Sequence, residues 1–72
     1  MLRCTRVSNN ESSMIPIEEL YEEYIAGRVH INETRLIFTF NGESYYYPQT
    51  NLDGTLKDCL ESFFRMMGYN EF

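Results

Sequence analysis

Apolar residues between positions 16 and 26 recur at the spacing of an α-helix. They hold positions i, i+3, i+4, i+7 and i+8 and form one stripe of a 3.6-residue period: Ile17, Leu20, Tyr21, Tyr24 and Ile25. Pro16 suits the first turn, where its missing N–H is not needed, and Gly27 suits the C-terminal end. The pattern predicts a short amphipathic helix over residues 16–26.

A second helical pattern covers residues 55–67. Its apolar stripe continues without a break through six positions: Leu56, Cys59, Leu60, Phe63, Phe64 and Met67. Thr55, followed three residues later by Asp58, resembles a capping box, and Gly68 is typical of the residue after a helix. We expect this helix to pack its stripe on a sheet.

The segment 35–48 has the pattern of a β-hairpin. Two runs rich in β-branched and aromatic residues flank Asn41-Gly42, the strongest short signal for a two-residue type I′ turn, and Pro48 ends the second run. Such a turn fixes which residues lie opposite each other: Phe40 with Glu43, Thr39 with Ser44, Phe38 with Tyr45, Ile37 with Tyr46, and Leu36 with Tyr47.

Opposed residues of an antiparallel pair lie on the same side of the sheet, so this register sorts the hairpin into two faces. The core face is predicted to hold Leu36, Phe38, Phe40, Tyr45 and Tyr47, and the second face Ile37, Thr39, Ser44 and Tyr46. If the helices cover only the core face, Ile37 and Tyr46 are an exposed apolar pair. Two interpretations are open for this pair: a self-association surface, or ordinary surface exposure.

The remaining segments have weaker patterns. Residues 2–7 alternate loosely and predict an edge strand, residues 28–31 predict a short strand, and residues 8–14 predict a flexible surface loop. Phe72 ends a short tail, and we expect it to pack on the core or on a partner. The chain is therefore predicted to be a single compact α+β domain over residues 1–72, with a small antiparallel sheet packed against two helices.

Length and composition limit the classes of protein. A domain of 72 residues has a thin core, so a homodimer is a natural source of further buried surface. No run approaches the length of a membrane span, and the N-terminal residues do not form a secretory signal, so we expect a cytoplasmic protein without membrane contact. Without an export signal, Cys4 and Cys59 are expected to be reduced and structural.

Candidate chemistry is sparse. His30 is the only histidine, and no nucleophile, carboxylate or second ligand stands near it at a known motif spacing, so we expect neither an enzyme nor a metal or other cofactor. The tyrosines of the hairpin could stack on bases. No basic residue lies between Arg35 and Lys57, however, so we expect no direct binding of nucleic acid.

The negative charge of the chain is concentrated in one segment. The formal net charge is −5, and residues 7–27 contain no basic residue but five glutamates: Glu11, Glu18, Glu19, Glu22 and Glu23. The predicted first helix therefore has two like-charge i,i+4 pairs, each destabilising an isolated helix by roughly 0.2–0.5 kcal/mol. The second helix instead has two attractive pairs, Lys57/Glu61 and Glu61/Arg65. The glutamates of the first helix are either a solvated surface or a binding site for a basic partner.

Carboxylates one turn apart on a helix repeat at about 5.4 Å, which is comparable to the spacing of phosphates along a nucleic-acid strand. A short, acidic, aromatic-rich α+β chain with Glu18, Glu19, Glu22 and Glu23 on one helix resembles the small host-takeover proteins of bacteriophages. These include anti-CRISPR proteins and DNA-mimicking inhibitors of the nucleoid protein HU. The resemblance implies a non-enzymatic, stoichiometric inhibitor that occupies the DNA-binding surface of a basic host protein. The alternative is a small regulatory or adaptor domain that works through Ile37 and Tyr46 or through the C-terminal tail.

Overall fold

The computed structural model of the protein describes residues 1–72 and contains one antiparallel sheet and two helices. The five strands are β1 (Leu2–Arg6), β2 (Ser12–Ile15), β3 (His30–Asn32), β4 (Ile37–Phe40) and β5 (Glu43–Tyr46), in the order β2-β1-β5-β4-β3. The helices are α1 (Ile17–Ile25) and α2 (Leu56–Met66). The predicted α+β fold and both predicted helices are confirmed, with ends that differ by one residue.

The β4–β5 hairpin has the predicted register. Ile37 lies opposite Tyr46 and Phe40 lies opposite Glu43, and the pairs between them follow in step. Asn41 and Gly42 both have positive φ angles, of 52° and 78°, as a type I′ turn requires. Beyond the strand ends, the N–H of Tyr47 still donates to the carbonyl of Leu36 at 2.9 Å, although Leu36 itself has a left-handed φ of 56°.

The predicted flexible loop over residues 8–14 is wrong in its second half, because residues 12–15 form β2. This strand pairs with β1 and forms the edge of the sheet, so β1 lies between β2 and β5 and the predicted edge position of residues 2–7 is wrong. The only buried residue of β2, Ile15, lies opposite the buried Leu2. Arg6 donates from its guanidinium to the hydroxyl of Ser13 at 2.8 Å. Serine is not a strong strand former, so the pairing with β1 and the burial of Ile15 determine this strand rather than local propensity.

Both helices cover the same face of the sheet. The core consists of residues from this face and from the inner faces of α1 and α2: Leu2, Cys4, Ile15, Ile17, Leu20, Tyr21, Phe38, Phe40, Tyr45, Leu56, Leu60 and Phe64. The opposite face of the sheet is not covered by any helix. By the strand register it carries Arg3 and His30 but no acidic residue.

Ile37 does not form the exposed pair with Tyr46 that the sequence predicts. Only 6% of its surface is exposed, and Tyr46 is half-buried. The reason is that β4 is an interior strand: Ile37 lies on the uncovered face between Asn32 of β3 and Tyr46 of β5, and these neighbours shield it from both sides. The sequence shows the hairpin but gives only weak evidence for β3.

The first turn of α2 receives two caps. Thr55 accepts a hydrogen bond from the N–H of Asp58 at 3.1 Å, as the capping-box pattern predicts. Glu33, in the β3–β4 connection, accepts from the N–H of Leu56 at 2.7 Å and from the N–H of Lys57 at 3.1 Å. A carboxylate at this end is favoured by the helix dipole, so Glu33 ties the sheet to the start of α2.

We therefore expect Glu33→Ala to destabilise the protein by about 1–2 kcal/mol, because two N–H groups of α2 lose their acceptor. For a domain of this size, that loss corresponds to a decrease in Tm of roughly 4–16 °C. Thermal unfolding followed by circular dichroism measures it. Glu43→Ala, which removes a carboxylate without a hydrogen-bond partner, is the control, and an equal decrease in both variants would contradict this role for Glu33.

Candidate functional site

Three glutamates of α1 point into solvent and have no cationic partner. Glu18, Glu19 and Glu22 are exposed, and no basic nitrogen lies within 4.0 Å of their carboxylate oxygens. They face outward because the opposite side of α1 is fixed in the core by Leu20 and Tyr21, which are 0% and 8% exposed. We call Glu18, Glu19 and Glu22 the acidic face.

Glu23 does not belong to the acidic face, although the sequence places it there. Arg28 reaches back to it from beyond the end of α1, and its guanidinium donates to both carboxylate oxygens, with the closest contact at 2.5 Å. The hydrogen bond from Arg28 lowers the pKa of the Glu23 carboxyl below its ordinary value. The prediction that all four helix glutamates lack a counter-ion is therefore wrong for Glu23.

Glu11, the fifth predicted partner-binding residue, lies on a different element. It is exposed in the connection between β1 and β2, where its N–H donates to the side-chain carbonyl of Asn9 at 3.0 Å and its own carbonyl accepts from the N–H of Arg6 at 2.8 Å. Glu11 is therefore an exposed residue, as predicted, but it does not lie on the helix that carries the acidic face.

The inner side of α1 contacts α2 through aromatic rings. Tyr21 and Tyr24 each pack on Phe64, with ring centroids 5.4 Å apart in both pairs. The Tyr24 hydroxyl donates to Glu61 at 2.5 Å. Burial, with the Glu61 carboxylate as a further cause, raises the pKa of Tyr24 above its ordinary value, so this hydroxyl stays a donor at neutral pH.

The contact with Tyr24 also changes the ion pairs of α2. The predicted Glu61/Arg65 pair is present with a separation of 3.6 Å. The predicted Lys57/Glu61 pair is absent, because one oxygen of Glu61 accepts from Tyr24 and the other faces Arg65. Lys57 is consequently a cation without a carboxylate partner within 4.0 Å.

The C-terminal tail docks on the same two helices. The Tyr21 hydroxyl donates to the carbonyl of Glu71 and accepts from the N–H of Glu71 at 3.0 Å. The Phe72 ring packs edge-on against Tyr21 and Tyr24, and Arg65 lies over it at 4.9 Å from the ring centroid. Of the two arrangements predicted for Phe72, the structure shows contact with the protein's own helices, and the residue is still 52% exposed.

An apolar groove lies beside the acidic face, where α1, α2 and the tail meet. The sequence pattern does not reveal this groove, because it forms only when the tail and β3 pack next to the helices. Its apolar lining consists of Tyr24, Ile25, Val29, Ile31 and Phe72. Ile25 belongs to the apolar stripe of the helix, yet it is 51% exposed because it lies at the end of α1, beyond the residues of this helix that enter the core.

The single histidine and the two cysteines of the chain do not come together. Cys4 is buried on the covered face of β1, and burial raises the pKa of its thiol to about 12, so the reactive thiolate is not formed at neutral pH. His30 is exposed on the opposite face of the sheet. Cys59 is half-buried in α2, and both cysteines are free thiols. Neither thiol can pair with His30 in this arrangement.

No group of three or more His, Cys, Asp or Glu side chains is arranged to hold a metal ion. Neither helix has the length and apolar character that would be needed to cross a membrane. The predicted homodimer stays a prediction, and the surface proposed for it is smaller than expected because Ile37 is buried.

Comparison with known proteins adds no relative. No protein-family model, characterised protein or solved structure matches the chain at a significant level. The function is therefore argued from the geometry described above.

We expect Arg28→Ala to raise the pKa of the Glu23 carboxyl towards its ordinary value of 4.5, because the hydrogen bond and the positive charge that lower it are both removed. The lowered pKa contributes stability above the unfolded-state pKa, and this contribution is lost as the pH falls through the folded-state pKa. Carboxyl NMR titration measures the shift.

The matched control for this titration is Arg35→Ala, which removes an exposed arginine that has no carboxylate partner within 4.0 Å. If the Glu23 titration is the same in the wild-type protein and in Arg28→Ala, Arg28 does not neutralise this carboxylate in solution. Glu23 would then belong with the acidic face after all.

Proposed function

We propose that the protein is a non-enzymatic, cytoplasmic inhibitor that binds the basic, nucleic-acid-binding surface of a host protein through its acidic face. The observation that carries this proposal is the exposure of three carboxylates on one short helix, Glu18, Glu19 and Glu22, without any cation of the protein beside them. Their charge is available to a partner because nothing in the fold neutralises it.

The contrast with three other glutamates of the chain supports this proposal. Glu23 is paired with Arg28, Glu33 caps α2, and Glu61 accepts from Tyr24 and faces Arg65. Each of these carboxylates has a structural contact. The glutamates of the acidic face have none, and the repulsion between Glu18 and Glu22 makes an isolated helix less stable.

The protein would inhibit its partner by occupying the surface that otherwise binds nucleic acid. A compact negative surface attracts a basic protein over long distances and increases the association rate, and it covers lysines and arginines that otherwise contact phosphates. Binding would then be competitive with nucleic acid and weakened by salt, because exposed charges are screened over about 8–10 Å at physiological ionic strength. No chemical step is needed, so inhibition would be stoichiometric.

The test uses the triple variant Glu18→Gln, Glu19→Gln and Glu22→Gln, which keeps side-chain shape and removes three charges. The immobilised protein is incubated with the heparin-binding fraction of a bacterial lysate, and bound proteins are eluted with salt or with duplex DNA. We expect the wild-type protein to retain basic proteins that DNA displaces. The triple variant should bind them about tenfold more weakly, since three exposed ion pairs at roughly 0.5 kcal/mol each are lost.

The matched control is a second triple variant, Glu43→Gln, Asp53→Asn and Asp58→Asn, which removes the same number of charges from elements other than α1. It should bind basic proteins as the wild-type protein does if binding depends on the position of the carboxylates and not on the net charge. Equal binding by all three proteins, or retention that DNA cannot compete, would contradict the proposal. Circular dichroism confirms that each variant is folded.

A further inference from the structure

The apolar groove beside the acidic face has the size and lining of a binding cleft. Its volume is about 460 Å³, and five of its seven lining residues are hydrophobic. Clefts that hold ligands typically measure roughly 300–1,000 Å³ and have mainly apolar walls with a few polar groups. The space is therefore large enough for an aromatic side chain.

Two large apolar side chains on the rim of the groove are half exposed. Ile25 is 51% exposed and Phe72 is 52% exposed, whereas every apolar residue of the central core is less than 9% exposed. Exposed apolar residues that stand singly are common on protein surfaces, but here two of them border one concave groove. Covering this groove would remove apolar surface from water.

The groove and two residues of the acidic face form one continuous strip. At 100° per residue, Glu18, Glu22 and Ile25 lie within an arc of about 60° on α1. Along the helix axis, Ile25 is about 4.5 Å from Glu22 and about 10.5 Å from Glu18. A partner that contacts the groove therefore has two carboxylates directly along the helix from its apolar contact.

The α2 wall of the groove makes the site asymmetric. Glu61 is already engaged by Tyr24 and Arg65, so it offers little to a further cation. Lys57 lines the same wall and has no carboxylate partner, so it repels positive charge. Cations of a ligand are thus favoured on the α1 side, over Glu18 and Glu22, and disfavoured on the α2 side.

We infer that the groove receives one aromatic side chain from a basic segment of the partner protein, with two cations of that segment over Glu18 and Glu22. This inference rests on the proposed function and names the segment by its chemistry. If the segment is helical, its matching pattern is two basic residues four apart and an aromatic residue three positions further along. The charges attract the segment, and the aromatic residue holds it in the groove.

The absence of tryptophan from the protein makes a direct test possible. The probe is a helical Ala-rich peptide with Arg at i and i+4 and Trp at i+7. The comparison peptide has the same composition, with its Trp moved to the opposite side of the helix. Trp excited at 295 nm reports on the peptide alone, so emission wavelength and anisotropy give both its environment and the dissociation constant.

We expect the aligned peptide to bind at least about tenfold more tightly than the comparison peptide, with a blue shift of its emission on binding. Ile25→Gln keeps the helix and makes the rim polar, so it should remove both the affinity difference and the blue shift. Met66→Gln is the matched control, because Met66 is an exposed apolar residue of α2 outside this groove. It should change neither.

Each other outcome has a defined meaning. If the aligned peptide binds no more tightly than the comparison peptide, or does not bind, the inference is overturned. If both peptides bind equally and the triple variant of the acidic face loses both, the groove has no role but the proposed function stands. If that variant binds both peptides as well as the wild-type protein does, the proposed function fails. Sedimentation of the protein alone completes the test, since a dimer that Ile25→Gln dissociates would show that a second copy covers the groove instead.

Discussion

The packing of Phe64 between the two helices is the constraint on which the rest of the structure depends. Its ring is fully buried and contacts Tyr21 and Tyr24 of α1 at 5.4 Å, while α2 holds it over the sheet. These contacts fix the rotation of α1 about its axis. Once the two tyrosines face inward, Glu18, Glu19 and Glu22 must face solvent, because helical geometry places them on other sides of the same two turns. The same tyrosines hold the tail, which in turn forms one end of the groove.

The sequence predicts the parts of the fold that depend on local signals. The Asn41-Gly42 turn determines the register of its hairpin, and the apolar stripe and Thr55 cap determine α2, because each of these acts between residues close in the chain. The parts of the fold that the sequence does not predict depend on contacts between residues that are far apart in the chain. The second cap of α2 comes from Glu33, more than twenty positions away, and Ile37 is buried only because β3 completes the sheet on its other side.

The electrostatics of the candidate site also depend on a contact that the sequence pattern does not predict. Counting charges along the chain correctly finds a segment without basic residues, but Arg28 lies just outside it. Gly27 has a left-handed φ of 79°, so the chain turns back at the end of α1 and brings the guanidinium onto Glu23. A helix C-terminus is also where a cation is favoured by the dipole. Arg28 therefore neutralises one of the four glutamates on the helix, and the three of the acidic face remain without a counter-ion.

Charge alone would make a poor basis for recognising one partner. Exposed carboxylates attract any basic surface, and at physiological salt each contact contributes little once the partners have met. Attraction of this kind mainly speeds association, whereas a buried apolar contact mainly slows dissociation. A groove that adjoins the acidic face would supply such an apolar contact, because only a partner with an aromatic residue at the right distance from its cations could use both surfaces. The position of Lys57 on the groove wall would add discrimination, since its charge would disfavour a segment whose cations lie on both sides of the aromatic residue. Selectivity would therefore arise from the order of charges and apolar groups along the partner segment, which net charge does not describe.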